Sequence, residues 1–133
     1  MKTNKYKLIV PSSLRPKPDK YELTVAELCT KLFHSNVEFV PRSISSTPDI
    51  KVVNGGDLWE IKNIRGRGKH TIEDNLRKAK KQSDKIIISL LKPGSMGTAQ
   101  ALARIKYYLA HNSTGIRRII LITKNQKIID VYS

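Results

Sequence analysis

Apolar residues recur along the chain at two spacings, one typical of helices and one typical of strands. Three stretches carry apolar residues three or four positions apart, which predicts helices over residues 24–35, 71–84 and 98–112. Strands are predicted in six stretches that alternate in polarity or are rich in valine and isoleucine: residues 37–40, both arms of 47–62, 85–91, 117–123 and 127–132. The order α-β-β-β-α-β-α-β-β predicts an α+β fold, with a mixed central sheet flanked by helices.

Two of these helices begin at a pattern that can cap a helix N-terminus. Thr24 is followed three residues later by Glu27, and Thr71 is followed by Asp74. In such a capping box the hydroxyl and the acid bind the free amide groups of the first turn. We therefore expect the two helices to begin at these threonines.

The first twenty residues differ from the rest of the chain, because they are polar and basic and contain three prolines. They hold six lysines and arginines but only one acid. We expect residues 1–20 to form an arm or linker, with a short strand at residues 6–10. Residues 21–133 are expected to form a single domain.

The segment 47–62, TPDIKVVNGGDLWEIK, predicts a β-hairpin. Its turn is expected at Asn54-Gly55, the pair most typical of a type I′ turn. With this turn Ile50 faces Trp59 across the hairpin. Because side chains alternate between the two faces of a strand, one face of the hairpin is apolar and belongs to the core. This face consists of Ile50, Val52, Trp59 and Ile61.

In the same register two acids face each other across the hairpin. Asp49 lies opposite Glu60, and Lys62 shares their face because it follows Glu60 by two residues. Like charges directly opposite each other destabilise a strand pair unless something offsets them. A divalent cation such as Mg²⁺ would do so, since carboxylate oxygens are its natural ligands. The alternative is a surface acid pair neutralised by Lys51 and Lys62.

The chain has 25 lysines and arginines but only 11 acids, which gives a formal net charge of +14. Such an excess indicates a polyanionic partner, most commonly nucleic acid, although an acidic protein would fit as well. Residues 62–85 hold nine of these cations and three acids. An acid pair beside a basic surface is what metal-assisted phosphodiester cleavage requires. The candidates for nucleic-acid binding are Arg65, Arg67, Lys69, Arg77, Lys78 and Lys81.

No segment of the sequence predicts a membrane helix or an internal disulfide. There is no run of 18 apolar residues, and the start lacks the apolar segment of a signal peptide. The single cysteine, Cys29, lies in an apolar helical stripe, which indicates a core residue. We therefore expect no membrane partner and a cytoplasmic site of action.

The residues around the acid pair resemble a known class of nucleases. Pro48-Asp49, ten further residues and then Glu60-Ile61-Lys62 match the PD-(D/E)XK nuclease motif. The runs PDI, LWEIKN and KAKKQSDKIIISL resemble the C-terminal toxin nuclease domains of CdiA proteins, which act in contact-dependent inhibition, and related domains of phage and mobile-element proteins. The resemblance spans residues 45–132.

The resemblance implies a metal site and assigns residues to it. Asp49 and Glu60 would bind Mg²⁺ or another divalent cation, together with the backbone carbonyl of Ile61. Lys62 would position the attacking water or stabilise the phosphate during cleavage. Two further catalytic candidates are the acid that many members place on the first helix and a glutamine on the helix after the hairpin, here Glu27 and Gln82.

The same resemblance implies what the domain acts on. It would be a small toxin nuclease that hydrolyses RNA in preference to DNA, with tRNA as the favoured substrate. An acidic immunity protein is an expected partner. The domain would be delivered as part of a larger secreted or mobile-element protein.

Two alternatives remain open. Related toxin domains with a barnase-like or colicin-like fold cut RNA without a metal, and here His70 and Thr71 would then provide acid–base chemistry with Lys62 and Glu60. His70 lies at a predicted helix start within a basic loop, where an anion would bind. The second alternative is an inactive nucleic-acid-binding domain, in which the basic face binds phosphates and the acids are structural.

Overall fold

The computed structural model describes residues 4–42 and 47–133. The strands of this part of the chain are β1 Leu8–Ile9, β2 Val37–Phe39, β3 Ile50–Val52, β4 Leu58–Asn63, β5 Lys85–Ser89, β6 Arg118–Ile122 and β7 Ile128–Tyr132. The helices are α1 Lys20–Phe33, α2 Thr71–Ala79 and α3 Thr98–His111. Among these described helices, none is long and apolar enough to cross a membrane.

All seven strands form one sheet, in which they lie side by side in the order of the sequence. The pairs β1–β2, β4–β5 and β5–β6 are parallel, and the pairs β2–β3, β3–β4 and β6–β7 are antiparallel. Helix α2 connects β4 to β5, helix α3 connects β5 to β6, and both pack on the same face of the sheet. The predicted α+β class with a mixed sheet and flanking helices is confirmed.

Strand β5 separates two hydrophobic cores, because its neighbouring residues point to opposite faces of the sheet. Ile86 and Ile88 belong to the core beneath α2 and α3, whereas Ile87 belongs to the core beneath α1. All three side chains are fully buried, so helices cover this strand on both faces of the sheet. The domain is therefore a three-layer sandwich of helix, sheet and helices.

The described part of the basic N-terminal segment packs against this sandwich. The short strand expected at residues 6–10 is β1, which extends the sheet beside β2. Leu14 is buried in the core beneath α1. Asn4 donates a hydrogen bond of 2.8 Å to the hydroxyl of Thr30 on α1. Residues 4–19 therefore contribute to the sheet and to the core, although their composition is typical of an arm.

Helix α1 begins four residues earlier than the sequence pattern predicted, because its capping box is a different one. The Asp19 carboxylate accepts hydrogen bonds from the amides of the first turn, and the Glu22 carboxylate accepts one from the amide of Asp19. Thr24 lies inside the helix, where its hydroxyl donates to the carbonyl four residues earlier. The predicted capping box of Thr24 and Glu27 was therefore wrong, since two pairs in this stretch have the required spacing.

Helix α2 begins at the predicted residue, but its cap and its end differ from the prediction. The residue at the N-cap is His70, and no side chain forms a capping hydrogen bond there. The predicted capping box of Thr71 and Asp74 was therefore wrong. The helix ends at Ala79 rather than at residue 84, because the chain must turn to enter β5. The amides three and four residues after Ala79 both donate to its carbonyl and form this turn.

Replacing Asp19 by alanine should destabilise the protein by about 1 kcal/mol, because amides at the start of α1 lose their bonding partner. The matched variant is Thr24→Ala, which removes a hydroxyl inside the helix and adds a strong helix former, so its cost should be smaller. Urea unfolding followed by circular dichroism gives both free energies of unfolding. A larger loss for Thr24→Ala than for Asp19→Ala would contradict the observed helix start.

Candidate functional site

The hairpin between β3 and β4 has the predicted register but a different turn. Ile50 pairs with Trp59, as the alternation of apolar residues required. The positive φ angles belong to Gly55 and Gly56, at 94° and 79°, and Asn54 has none. The predicted type I′ turn was wrong, because a longer loop places both positive φ angles on glycines, which adopt them without strain. The register still buries the predicted apolar face: Ile50, Val52, Trp59 and Ile61.

Both acids of the hairpin are buried, with Asp49 only 7% exposed and Glu60 only 2%. Asp49 directly precedes β3, and its Oδ2 accepts a hydrogen bond of 2.8 Å from the amide of Ile61 on β4. The last backbone pair before this point is Ile50 with Trp59. The Asp49 carboxylate therefore accepts a hydrogen bond from β4 that a backbone carbonyl would accept if the regular pairing of β3 with β4 continued.

Two cations partly neutralise the acid pair. The ammonium of Lys62 lies 3.2 Å from Glu60 Oε2. The guanidinium of Arg42 lies 3.1 Å from Asp49 Oδ1 and 3.4 Å from Glu22 Oε2. The arrangement is thus a short ionic network in which each buried carboxylate has one partly exposed cation beside it.

Sequence reasoning had identified Lys62 but had missed Arg42 and Glu22. No motif spacing points to Arg42. It lies three residues after the end of β2, and only the fold brings this segment next to Asp49. Glu22 could have been found, because the pattern of Asp19 followed by Glu22 is a capping box and places that acid in the first turn of α1.

The pKa of Glu60 is raised from its usual value to about 8. Burial is the largest cause, because it disfavours the charged carboxylate, and the nearby Asp49 raises the pKa further. The ammonium of Lys62 acts in the opposite direction but does not outweigh these effects. Without a further positive charge, burial and the neighbouring carboxylate therefore favour the protonated form of Glu60.

The donor atoms of the pair fit a divalent cation. Glu60 Oε1 is buried and has no hydrogen-bond partner in the described structure, so it is available as a ligand. With Asp49 it offers two carboxylates, and Mg²⁺ commonly binds one or two carboxylates while water and phosphate complete its shell. No group of three or more histidine, cysteine or acidic side chains suited to a metal occurs among residues 4–42 and 47–133.

The two other residues that the resemblance assigned to the site have no described hydrogen bond to either carboxylate. Glu27 is exposed on α1, and its carboxylate accepts a hydrogen bond of 3.5 Å from the side-chain amide of Asn4. The acid of α1 that reaches the site is Glu22, through the shared arginine. Gln82 follows α2, and its amide donates to the carbonyl of Thr47 at 3.5 Å, two residues before the first acid.

His70 and Thr71 lie at the N-terminus of α2. The His70 side chain is 69% exposed, and its Nδ1 lies 3.5 Å from the carboxylate of Glu73. Glu73 in turn pairs with Arg104 of α3 at 2.6 Å. In the part of the chain that the structure describes, neither His70 nor Thr71 has a side-chain hydrogen bond to the acid pair or its lysine. These contacts link α2 to α3 and form no acid–base pair at the hairpin.

The residues predicted to bind nucleic acid lie on the surface. Three of them belong to the loop between β4 and α2, which follows directly after Lys62, and three belong to α2 and the turn after it. The loop therefore places positive charge beyond the end of the strand that holds Glu60. All six are exposed: Arg65, Arg67, Lys69, Arg77, Lys78 and Lys81.

Together these elements define the class of the protein: a three-layer domain with a buried acid pair on a hairpin and a basic surface beside it. The sequence model of the contact-dependent growth inhibition CdiA C-terminal domain matches residues 46–128, more than half of the chain. The chain therefore belongs to this family and is a toxin domain of the contact-dependent inhibition system. The family match includes the hairpin and both acids.

A solved structure has the same fold. It is the "CdiA-CT/CdiI toxin and immunity complex from Burkholderia pseudomallei", with a TM-score of 0.66. The alignment covers 96% of this chain and 99% of that chain, at 16% sequence identity. This identity is low, so the likeness shows the fold alone. No curated protein matches the chain.

The pH dependence of stability should reveal the buried Glu60. Its pKa is higher in the folded protein than in the unfolded chain, so its contribution is fully present below about pH 4.5 and is lost as the pH rises towards 8. With EDTA present, the urea midpoint of the protein should fall over this range. The side chain of the Glu60→Gln variant stays neutral, so the urea midpoint of this variant should fall less. The variant should therefore be the more stable protein at pH 8.

The exposed acid Glu27 supplies the control for this experiment. Glu27→Gln should leave the pH dependence as it is in the unsubstituted protein. Parallel curves for the unsubstituted protein and Glu60→Gln would show that Glu60 does not titrate as the structure indicates.

Proposed function

We propose that this toxin domain is a metal-dependent nuclease that cleaves RNA, with tRNA as its favoured substrate. The observation that supports the proposal is the buried pair of Asp49 and Glu60, one of whose oxygens has no partner. Burying two like charges side by side destabilises a fold, and apolar residues would pack there at lower cost. Such a pair is explained by a cation that it binds during function.

Asp49 and Glu60 would hold the cation, which is Mg²⁺ or another divalent ion. When bound, the cation would lower the pKa of a coordinated water and offset charge on the phosphate. Lys62 already lies beside Glu60 and has ammonium donors that could bind the attacking water or a phosphate oxygen. The predicted participation of the Ile61 carbonyl belongs to the same proposal.

Arg42 would bind the substrate phosphate. Its guanidinium is held by Asp49 and Glu22, and about a third of the side chain remains exposed. Arginine offers five N–H donors in a planar fork that matches a phosphate. The two carboxylates orient the fork, and the donors that they do not use can face a phosphate at the acid pair.

The exposed cations between β4 and the end of α2 would bind the RNA backbone on either side of the cut. Neutralising phosphates releases counterions, so the affinity should fall steeply with salt. The structural neighbour is a complex of a toxin with its immunity protein. An immunity protein is therefore a proposed partner of this domain, and an acidic one would complement its charge. Delivery as part of a larger secreted protein belongs to the same proposal.

With Mg²⁺ present, the protein should cleave total tRNA, and EDTA should abolish the cleavage. Glu60→Gln should lower the rate by at least about 100-fold, since catalytic acid–base and ligand groups typically contribute that much. Gel electrophoresis of tRNA and of plasmid DNA, incubated in parallel, measures the activity and its preference for RNA.

His70→Ala and Glu27→Gln are the matched controls and should both retain activity. EDTA-resistant RNA cleavage that His70→Ala abolishes would replace this proposal by the metal-independent alternative. If neither tRNA nor DNA is cut while salt-sensitive binding persists, the domain is a nucleic-acid-binding protein without nuclease activity.

A further inference from the structure

A cavity of about 340 Å³ lies between the hairpin and the connection from α2 to β5. Small-molecule sites usually measure roughly 300–1,000 Å³, so this cavity lies at the lower end of the range. It can admit one planar base but is too small for a folded segment of RNA or protein. Its wall combines apolar, amide, hydroxyl and charged groups. The residues that matter for the argument are Pro48, Asp57, Leu58, Gln82, Asp84 and Lys85.

The cavity is lined by residues that are close in the chain to both acids of the proposed catalytic pair. Pro48 directly precedes Asp49 in the chain. Leu58 lies two residues before Glu60 on β4 and therefore shares its face, roughly 7 Å along the strand. Leu58 is 41% exposed, although its neighbour Trp59 is fully buried. The strand that holds Glu60 thus presents an uncovered apolar side chain at the floor of the cavity.

The charge of the cavity wall differs from that of the rest of the protein. The chain carries +14, but the wall contains two carboxylates and one ammonium. Lys85 Nζ lies 3.5 Å from Asp84 Oδ1 and 3.8 Å from Asp57 Oδ1. Arg117, which is not part of the wall, lies with its Nε 3.4 Å from Asp84 Oδ2, so Asp84 has a cation at each oxygen, whereas Asp57 has a described cation only at Oδ1. The Asp57 carboxylate can therefore accept hydrogen bonds from N–H donors, and it repels phosphate. The cavity is therefore suited to a base rather than to the phosphate backbone.

Two side chains fix the wall of the cavity to both arms of the hairpin. The amide of Gln82 donates to the carbonyl of Thr47, and the hydroxyl of Ser83 donates to the carbonyl of Leu58 at 2.8 Å. Gln82 therefore has a role beside the acid pair although it has no described hydrogen bond to either carboxylate. It positions the segment before Asp49 and one wall of the cavity at the same time.

We propose that this cavity binds the nucleobase next to the cleaved phosphate, with guanine preferred; the inference rests on the proposed nuclease function. Guanine presents an N–H and an NH₂ side by side, and a carboxylate can accept both hydrogen bonds. Uracil offers one N–H between two carbonyls, which a carboxylate repels. Leu58 and Pro48 would contact the face of the base.

Binding can be measured without any cleavage. The protein in EDTA is titrated with guanosine 5′-monophosphate, uridine 5′-monophosphate or inorganic phosphate while amide chemical shifts are followed by NMR. The guanine nucleotide should shift the amides of residues 56–58 and 82–85. It should bind at least about fivefold more tightly than the uracil nucleotide or phosphate, since a bidentate hydrogen-bond pair discriminates by that much. Equal affinities for all three probes would overturn the proposal.

Three variants assign this binding to the cavity. Asp57→Asn and Asp84→Asn should each weaken binding of the guanine nucleotide severalfold. The matched control is Asp74→Asn, since Asp74 has the same 55% side-chain exposure as Asp57 and also pairs with a cation, Arg77, but lies on α2. This control should bind as the unsubstituted protein does. Unchanged binding in both Asp57→Asn and Asp84→Asn would overturn the proposal.

Sequencing the ends of cleaved tRNA separates this proposal from the nuclease proposal. Guanine should be enriched on one side of the cut, and Asp57→Asn should reduce the enrichment. Cleavage without base preference, together with no selective nucleotide binding, would overturn the cavity proposal and leave the nuclease intact. Selective nucleotide binding by a protein that cuts neither RNA nor DNA would overturn the nuclease and retain a nucleobase-binding cavity.

Discussion

The site depends on one hydrogen bond, from the amide of Ile61 to the carboxylate of Asp49. Regular pairing of β3 with β4 ends at Ile50 and Trp59, so the amide of Ile61 would otherwise lack a partner at this edge. A buried amide without a partner costs free energy comparable to a lost hydrogen bond. The bond therefore fixes the Asp49 carboxylate on β4 as a consequence of the fold, and it places Asp49 close to Glu60, the residue before Ile61.

This constraint explains why the remaining charges lie where they do. With Asp49 fixed, Glu60 meets both burial and a neighbouring carboxylate, and its pKa rises. Arg42 forms an ion pair with Asp49, and Lys62 forms one with Glu60. Oε1 of Glu60 still has no hydrogen-bond partner in the described structure. A fold selected only for stability would replace such a network by apolar residues. A buried acid pair with too few cations around it supports a group that binds there during function, and for this reason we favour the acid pair over His70 as the candidate site.

The sequence predicted those features that repeat along the chain, and it missed those that depend on a single contact. The alternation of apolar residues determined the hairpin register and hence the pairing of Ile50 with Trp59, because a slip by one residue would place Glu60 beside Ile50 and mix apolar and charged residues on one face. The turn was mispredicted, since Gly56 offered a second glycine. The start of α1 was mispredicted because two stretches have capping-box spacing. Arg42 had no sequence pattern at all, because only the folded sheet brings it to Asp49.

The positive surface and the acidic cavity would act on different parts of a substrate. Every phosphate is alike, so the exposed cations provide affinity and steering but little selectivity. Discrimination requires groups that distinguish bases, and the carboxylates of Asp57 and Asp84 are of this kind. The same division bears on inhibition: an acidic partner bound to the basic surface would block the backbone path without reaching the acid pair. On these proposals an acidic partner would inhibit the toxin by covering its basic surface, whereas the choice of cleavage site would depend on the cavity.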